Sequence, residues 1–218
     1  MKRVVVAVLV TDRPVVEPAA MLRGCIGGRF SEHEVLHNHG ENGYIYRYPL
    51  VQYKLLDGTP AILGIEEGAD VLMDILPEIE NFQLAGNNYK VLEKRIVQKK
   101  YSIQPTQDQK SYRFASPWLG FNQTNHNRYM ETTDWKERKT LLNRILTGNI
   151  LSMCKGLGIT VGTSLYLHTH LDSTKASYKG FDHHAFYGKF RVNFDLPDLF
   201  GLGKGVSHGF GVVLPLKN

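Results

Sequence analysis

Val4 through Val10 form an unbroken apolar run in which five of the seven residues are valine. A stretch this short and this rich in β-branched residues predicts a buried strand, inside a sheet rather than at its edge. The residues that follow must supply its neighbours. Pro18–Arg29 carries Ala19, Ala20, Leu22, Cys25 and Ile26 at helical spacings, and Gly27-Gly28 marks its end. Tyr44–Leu55 alternates apolar with polar residues, Asp57-Gly58 is a hairpin signal, and Thr59–Ile65 reads as the return strand. Glu66 and Glu67 suit the positive end of a helix over Ala69–Ile79, where Val71, Leu72, Ile75, Leu76 and Ile79 share a face. Tyr89–Ile103 closes the set as a long strand. The order β-α-β-β-α-β predicts a ferredoxin-like module over residues 1–103, hence an α+β chain.

Gln104–Gln109 reads as a linker, and a second module is expected over residues 110–218. It opens with a strand at Tyr112–Phe121 and continues as a long helix over about Asp134–Lys155. Asp134 is the expected N-cap; Leu141, Leu142, Ile145, Leu146, Ile150 and Met153 form the buried side. The opposite face holds Lys136, Arg138, Lys139 and Arg144. Ile159–Leu171, Ala176–Tyr178, Phe186–Phe194 and Gly211–Leu216 read as strands. Only Leu196–Leu202 remains for a second helix, so this half fits the module less cleanly.

Charge is unevenly placed. Residues 1–108 carry 12 Lys and Arg against 14 Asp and Glu, whereas residues 109–218 carry 14 against 7. A basic second half points to a polyanionic partner, nucleic acid first among them. With 42% hydrophobic and 22% charged residues, the chain has an ordinary globular composition. Cys25 and Cys154 make neither a disulfide framework nor a metal cluster, so a reducing cytoplasmic location is expected. Met1-Lys-Arg before the valine run imitates a signal peptide, but the apolar stretch is too short. No run of 18 apolar residues occurs, and no membrane span is expected.

Five glycines fall within the eleven residues from Gly201 to Gly211, with Lys204 and His208 among them. Such a loop frees the backbone for positive φ, and successive amides can gather anionic oxygens. Familiar nucleotide fingerprints fail here. Val206 stands where Gly-x-Gly-x-x-Gly needs its third glycine, and Gly205 follows Gly203-Lys204 where a P-loop needs Ser or Thr. Gly-hydrophobic-Gly, five residues, then Gly-hydrophobic-Gly resembles the C-terminal signature of the CRISPR-associated RAMP proteins. Leu22-Arg23-Gly24-Cys25-Ile26-Gly27, Leu36-His37-Asn38-His39 and Ile45-Tyr46-Arg47-Tyr48-Pro49 resemble the b-type branch of their repeat-RNA endoribonucleases. The resemblance implies two tandem ferredoxin-like (RRM-like) modules ending in a glycine-rich loop. It also implies CRISPR repeat RNA as substrate in antiviral defence. Other CRISPR effector subunits become candidate partners, with the protein a monomer or homodimer.

RNA can be cut without metal because its 2′-hydroxyl neighbours the scissile phosphate. The enzyme must take that proton, steady the phosphoryl charge and protonate the departing 5′-oxygen. Histidine titrates in the right range for both proton transfers. The resemblance assigns the catalytic pair to His37 and His39 and the tyrosine to Tyr46. Arg29 stands where the branch has lysine, which keeps the charge but not the proton transfer. Arg29 is therefore expected only to stabilise. Gly201, Gly203, Lys204, Gly205, His208, Gly209 and Gly211 are expected to hold the RNA backbone, joined by Lys136, Lys139 and Arg144.

Rival readings use the same residues. His33, His37 and His39 would serve as metal ligands in a metal-dependent phosphodiesterase, yet no second cluster of Asp or Glu accompanies them. His168-x-His170-x-Asp172 starts another metallohydrolase pattern, which Ser173 breaks. His183-His184 opens a strand and is expected to face RNA or solvent. Trp118, Phe121 and Tyr129 could stack on bases, although burial is their commoner fate. A non-cleaving subunit that coats guide RNA is the main alternative, but coating needs cations rather than titrating imidazoles. The expected activity is metal-independent cleavage of repeat RNA in precursor transcripts. It leaves a 2′,3′-cyclic phosphate and a 5′-hydroxyl and needs no cofactor.

Overall fold

The computed structural model describes residues 1–37, 39–40, 43–44 and 48–216, with residues 37, 39, 40, 43 and 44 described by backbone only. The chain divides into two compact units. One comprises Met1–Ser102 with Ser207–Gly209, the other Ile103–Val206 with Phe210–Asn218.

In the first unit β1 (Lys2–Thr11) is the interior strand that its valines require. It pairs antiparallel with β5 (Thr59–Ile65) and β7 (Asn87–Tyr101), and β4 (Val51–Leu56) and β6 (Asn81–Leu84) complete the order β4-β5-β1-β7-β6. Val5, Ala7 and Leu9 bury one face of β1 in a core with Leu22 and Ile26 of α1 (Ala19–Arg29) and Leu72 and Ile75 of α3 (Glu67–Ile75). Arg3 ties α3 to the sheet through Glu66 and Asp70. Glu17, itself buried, accepts hydrogen bonds from Tyr89 Oη and Asn87 Nδ2, each at 2.7 Å. Those bonds hold its carboxyl below the usual range.

The turn at Asp57-Gly58 has φ of 49° and 77°, the two left-handed positions of a two-residue hairpin. Its strand β4 is shorter than the expected Tyr44–Leu55. The ladder ends at Val51 opposite Gly64, and Pro49 just before has no N–H to extend it. Gly43–Tyr44 forms instead a separate strand, β3, against β2 (His39–Gly40). The hairpin of β6 and β7, turning at Ala85-Gly86, had no Asn-Gly or Asp-Gly signal to announce it.

The second unit orders its sheet β11-β8-β10-β9, with β8 Pro105–Trp118, β9 Leu167–Tyr178, β10 Phe181–Phe194 and β11 Val213–Pro215. In chain order these are strands 4-1-3-2, the same arrangement that β7-β1-β5-β4 makes in the first unit. Both units are therefore ferredoxin-like. The expected linker is strand: Pro105 pairs with Phe194, and the Gln104 carbonyl accepts from Asp195 N at 2.9 Å. Its polar residues misled because Gln107–Lys110 lie on an exposed stretch of β8. β9 is one strand where two were expected.

Helix α5 (Trp135–Gly156) starts as read, with Asp134 Oδ1 accepting from Lys136 N at 2.9 Å. Its buried residues are the expected six plus Cys154. Before it lies α4 (Gln123–Glu131), capped by Asn122 and burying none of its residues. Leu196–Leu202 forms no helix, although Leu196, Phe200 and Leu202 are buried. Among the described residues, no helix is long and apolar enough to cross a membrane.

Candidate functional site

The first unit holds the segment that carries the histidine pair. Phe30 ends α1 by donating to the Ile26 carbonyl at 3.1 Å, and a turn from Phe30 to His33 leads into α2 (Glu34–His37). Leu36 anchors α2 in the core. His37 is therefore the last residue of a helix, and His39 is the first of a strand, paired with Tyr44. The side chains of His37 and His39, and all of Tyr46, lie outside the described residues. Arg29 faces a different group. Its guanidinium donates to the Glu78 carbonyl at 2.8 Å and lies 5.3 Å from the Phe30 ring centroid.

The same unit contains a lysine that sequence reasoning missed. Lys54 and Gln52 of β4 are fully buried, and Lys54 Nζ donates to Gln52 Oε1 at 2.9 Å. Burial pushes the Lys54 ammonium down to about 7. Alternation along β4 carried no hint of it, because a lysine at an alternate position reads as solvent-facing.

The glycine tail is packed rather than open. A Cβ on Gly211 (φ +63°) would lie 2.0 Å from the Leu202 carbonyl oxygen, and one on Gly203 (φ +89°) 2.6 Å from that of Leu119. Gly201 and Gly205 press on Val206 and Phe210, and Gly209 on Ala19. Several amides in the tail are already committed. Leu202 donates to Gly211, Lys204 to Leu119 and Gly211 to Pro117, all at 2.8–2.9 Å. The loop's close backbone approach is thus made to the protein itself, Gly203 against Trp118 and Leu119 and the other glycines largely against the tail's own residues and Ala19. The Lys204 side chain remains exposed, and His208 is half-buried with Ser207 Oγ 3.2 Å from its Nδ1.

On the second unit, Lys136 and Arg144 of α5 are exposed, and Arg128 of α4 joins them along one groove. Lys139 is half-buried and does not line it. His168, His170 and Asp172 project from one exposed side of β9. Among the described residues, no three His, Cys, Asp or Glu side chains converge as a metal site. Trp118 and Phe121 are buried, and Trp118 Nε1 donates to Asn149 Oδ1 at 2.9 Å. His184 lies 4.9 Å from Phe186, ring centroid to centroid, in a stacked pair, and 5.9 Å from His126. Sequence reasoning missed His126, because α4 has no buried residue to reveal the helix that presents it.

Two ferredoxin-like modules in one chain, followed by a C-terminal tail packed on its glycines, define a tandem ferredoxin-like protein. Residues 3–102 match the Cas6b N-terminal domain and residues 104–216 the Cas6b C-terminal domain. The chain belongs to the Cas6b family. It is 36% identical over 145 residues to an uncharacterised protein of Methanocaldococcus jannaschii, a match spanning 66% of this chain and 98% of that one. A crystal structure of Cas6b superposes with a TM-score of 0.92 at 28% identity, covering 99% of this chain and 100% of the other. A second structure, of the CRISPR RNA processing endoribonuclease Cas6b, gives a TM-score of 0.80 at 28% identity with the same coverage. A Thermus thermophilus Cas6, 15% identical with a TM-score of 0.59 and covering 99% of this chain and 98% of its own, shares the fold alone.

Proposed function

We propose that this protein is a metal-independent endoribonuclease that cuts CRISPR repeat RNA within precursor transcripts. The observation that carries the reading is the match of both modules to Cas6b domains in a chain that places two histidines at a helix-to-strand junction. One solved relative, 28% identical and covering 99% of this chain, is itself a CRISPR RNA processing endoribonuclease.

His37 and His39 divide the proton transfers. One imidazole removes the 2′-hydroxyl proton as the oxygen attacks phosphorus, and the other protonates the leaving 5′-oxygen. Two residues apart, their Cα atoms are separated by at most about 7 Å, a span that suits flanking one phosphate. Tyr46 and Arg29 steady the phosphoryl oxygens. Arg29 must leave the Glu78 carbonyl to do so, a bond that exposed guanidinium exchanges readily with solvent or phosphate. Lys204, Lys136, Lys139 and Arg144 hold the RNA backbone. The tail glycines and His208 contribute by fixing the loop that presents Lys204.

The deciding experiment is cleavage of a labelled repeat RNA bearing one 2′-deoxy nucleotide 5′ of the scissile phosphate, in excess EDTA. The all-ribose substrate is cut to a 2′,3′-cyclic phosphate and a 5′-hydroxyl, while the deoxy substrate is bound but not cut. Comparable cleavage of both would overturn the mechanism, because a metal-activated water attacks phosphorus without needing the 2′-hydroxyl.

A further inference from the structure

The second unit carries three concavities linked by shared lining residues. The first, about 340 Å³, lies between α4 and α5 and is lined by the cations Arg128, Lys136 and Arg144, which outnumber the one carboxylate there, Glu137. Arg144 also lines a second, about 400 Å³, which reaches Asn122 and Lys204. Asn122 and Lys204 in turn border a third, about 250 Å³, walled by Phe121, His126, His183, His184 and Asp182. From Lys136 to Arg144 the helix rises roughly 12 Å, so the cations are spread along a path rather than gathered at a point.

The third concavity differs in chemistry from the other two. Its floor is made of rings: Phe121 lies 5.5 Å from His184 and 5.9 Å from His126, centroid to centroid, both edge-on. His184 is fixed by stacking on Phe186 and by Ser173 Oγ, 2.6 Å from its Nε2. Partial burial, then the neighbouring His126 and Arg138, hold its imidazole below the ordinary range. The exposed carboxylate of Asp182 stands at the rim. That carboxylate repels a phosphate but accepts hydrogen bonds from an amino group. Aromatic rings offer stacking surfaces to a base. Phosphate therefore belongs at Arg128, Lys136, Arg144 and Lys204, and a base belongs among the histidines.

We propose that this track takes a single-stranded segment of RNA and that the histidine pocket receives an unpaired base carrying an exocyclic amino group, selected by Asp182. The inference rests on the proposed function only in taking RNA as the ligand. Adenine, cytosine and guanine carry such a group; uracil has only its N3–H, flanked by two carbonyls that the carboxylate repels, and is disfavoured.

The test uses the full chain with fluorescent ten-nucleotide oligoadenylate and oligouridylate, read by anisotropy in EDTA at fixed salt, with repeat-RNA cleavage assayed alongside. Oligoadenylate is expected to bind at least fivefold more tightly than oligouridylate. Asp182→Ala should bring the two within twofold, and His126→Ala should weaken oligoadenylate at least threefold. Arg144→Ser should weaken both equally and flatten the salt dependence. Because α4 buries none of its residues, His126→Ala is expected to fold, and His126→Gln supplies a second variant that keeps a polar side chain while removing the ring. Equal affinity for the two oligomers, or a preference untouched by Asp182→Ala, would overturn the pocket even where repeat RNA is cut normally. Loss of repeat-RNA cleavage with the oligoadenylate preference intact would support the pocket and count against the nuclease reading instead.

Discussion

Lys204 donates its backbone N–H to the Leu119 carbonyl at 2.9 Å while its side chain stays exposed. The backbone is committed to the fold and the ammonium to the surroundings, so the two roles separate under mutation. Lys204→Ala should leave the melting temperature within about 1 °C, because surface substitutions outside packed features shift stability little. Affinity for repeat RNA should fall, and the slope of log K against log salt should shrink by about 0.7 to 0.9, one phosphate contact. Anisotropy titrations at four salt concentrations measure it, and an unchanged slope removes Lys204 from the interface.

Gly211→Val behaves oppositely. The added Cβ meets the Leu202 carbonyl oxygen at 2.0 Å, and the backbone sits at φ +63°, which a β-branched residue rarely adopts. Left-handed strain and overpacking together cost about 2–5 kcal/mol. Urea unfolding should show a correspondingly lower midpoint, with RNA binding lost only as far as the protein unfolds. A variant with native stability and impaired binding would instead make Gly211 a ligand contact.

His37→Ala combined with His39→Ala should remove at least about 100-fold of cleavage rate, the lower end of what general acid-base catalysis supplies. Affinity should stay within about threefold, since a pair that works as one acid and one base carries at most a single charge and releases few counterions. Single-turnover cleavage and anisotropy on the same samples check both halves. Near-normal cutting by the double variant would move the active site elsewhere.

Lys54 makes stability depend on pH. Its ammonium is pushed down to about 7 in the folded protein, whereas an unfolded lysine keeps its proton to about pH 10.4. Between those values the unfolded chain binds more protons, so stability rises with pH, and the burial cost is fully present below pH 7. Lys54→Met escapes this cost. The variant's advantage in urea unfolding should shrink by about 2 kcal/mol between pH 6.5 and 8.5. An advantage constant across that range would mean that Lys54 keeps its proton in the folded protein.

Much of the architecture was legible from local pattern. Val4–Val10 could only be an interior strand, Asp57-Gly58 could only turn a hairpin, and Asp134 before an apolar stripe could only begin a helix. Each of these is dictated by residues close in the chain, through side-chain period, left-handed φ or a capping oxygen. Family membership was legible as well, through glycine and histidine spacings near both ends. What local pattern could not reach was any feature decided by partners far along the chain. Gln104–Gln109 looks like a linker until Phe194 pairs with Pro105, some ninety positions away. The tail glycines read as an open anion loop, but amides of the tail answer to Pro117 and Leu119, and the missing Cβ atoms make room for Leu119, Leu202, Val206, Phe210 and Ala19. His126 and His184, on a polar helix and a strand, meet only because the sheet brings β10 beneath α4. A sequence shows which segments must hide from water; which distant polar groups then face one another is settled only when those segments pack.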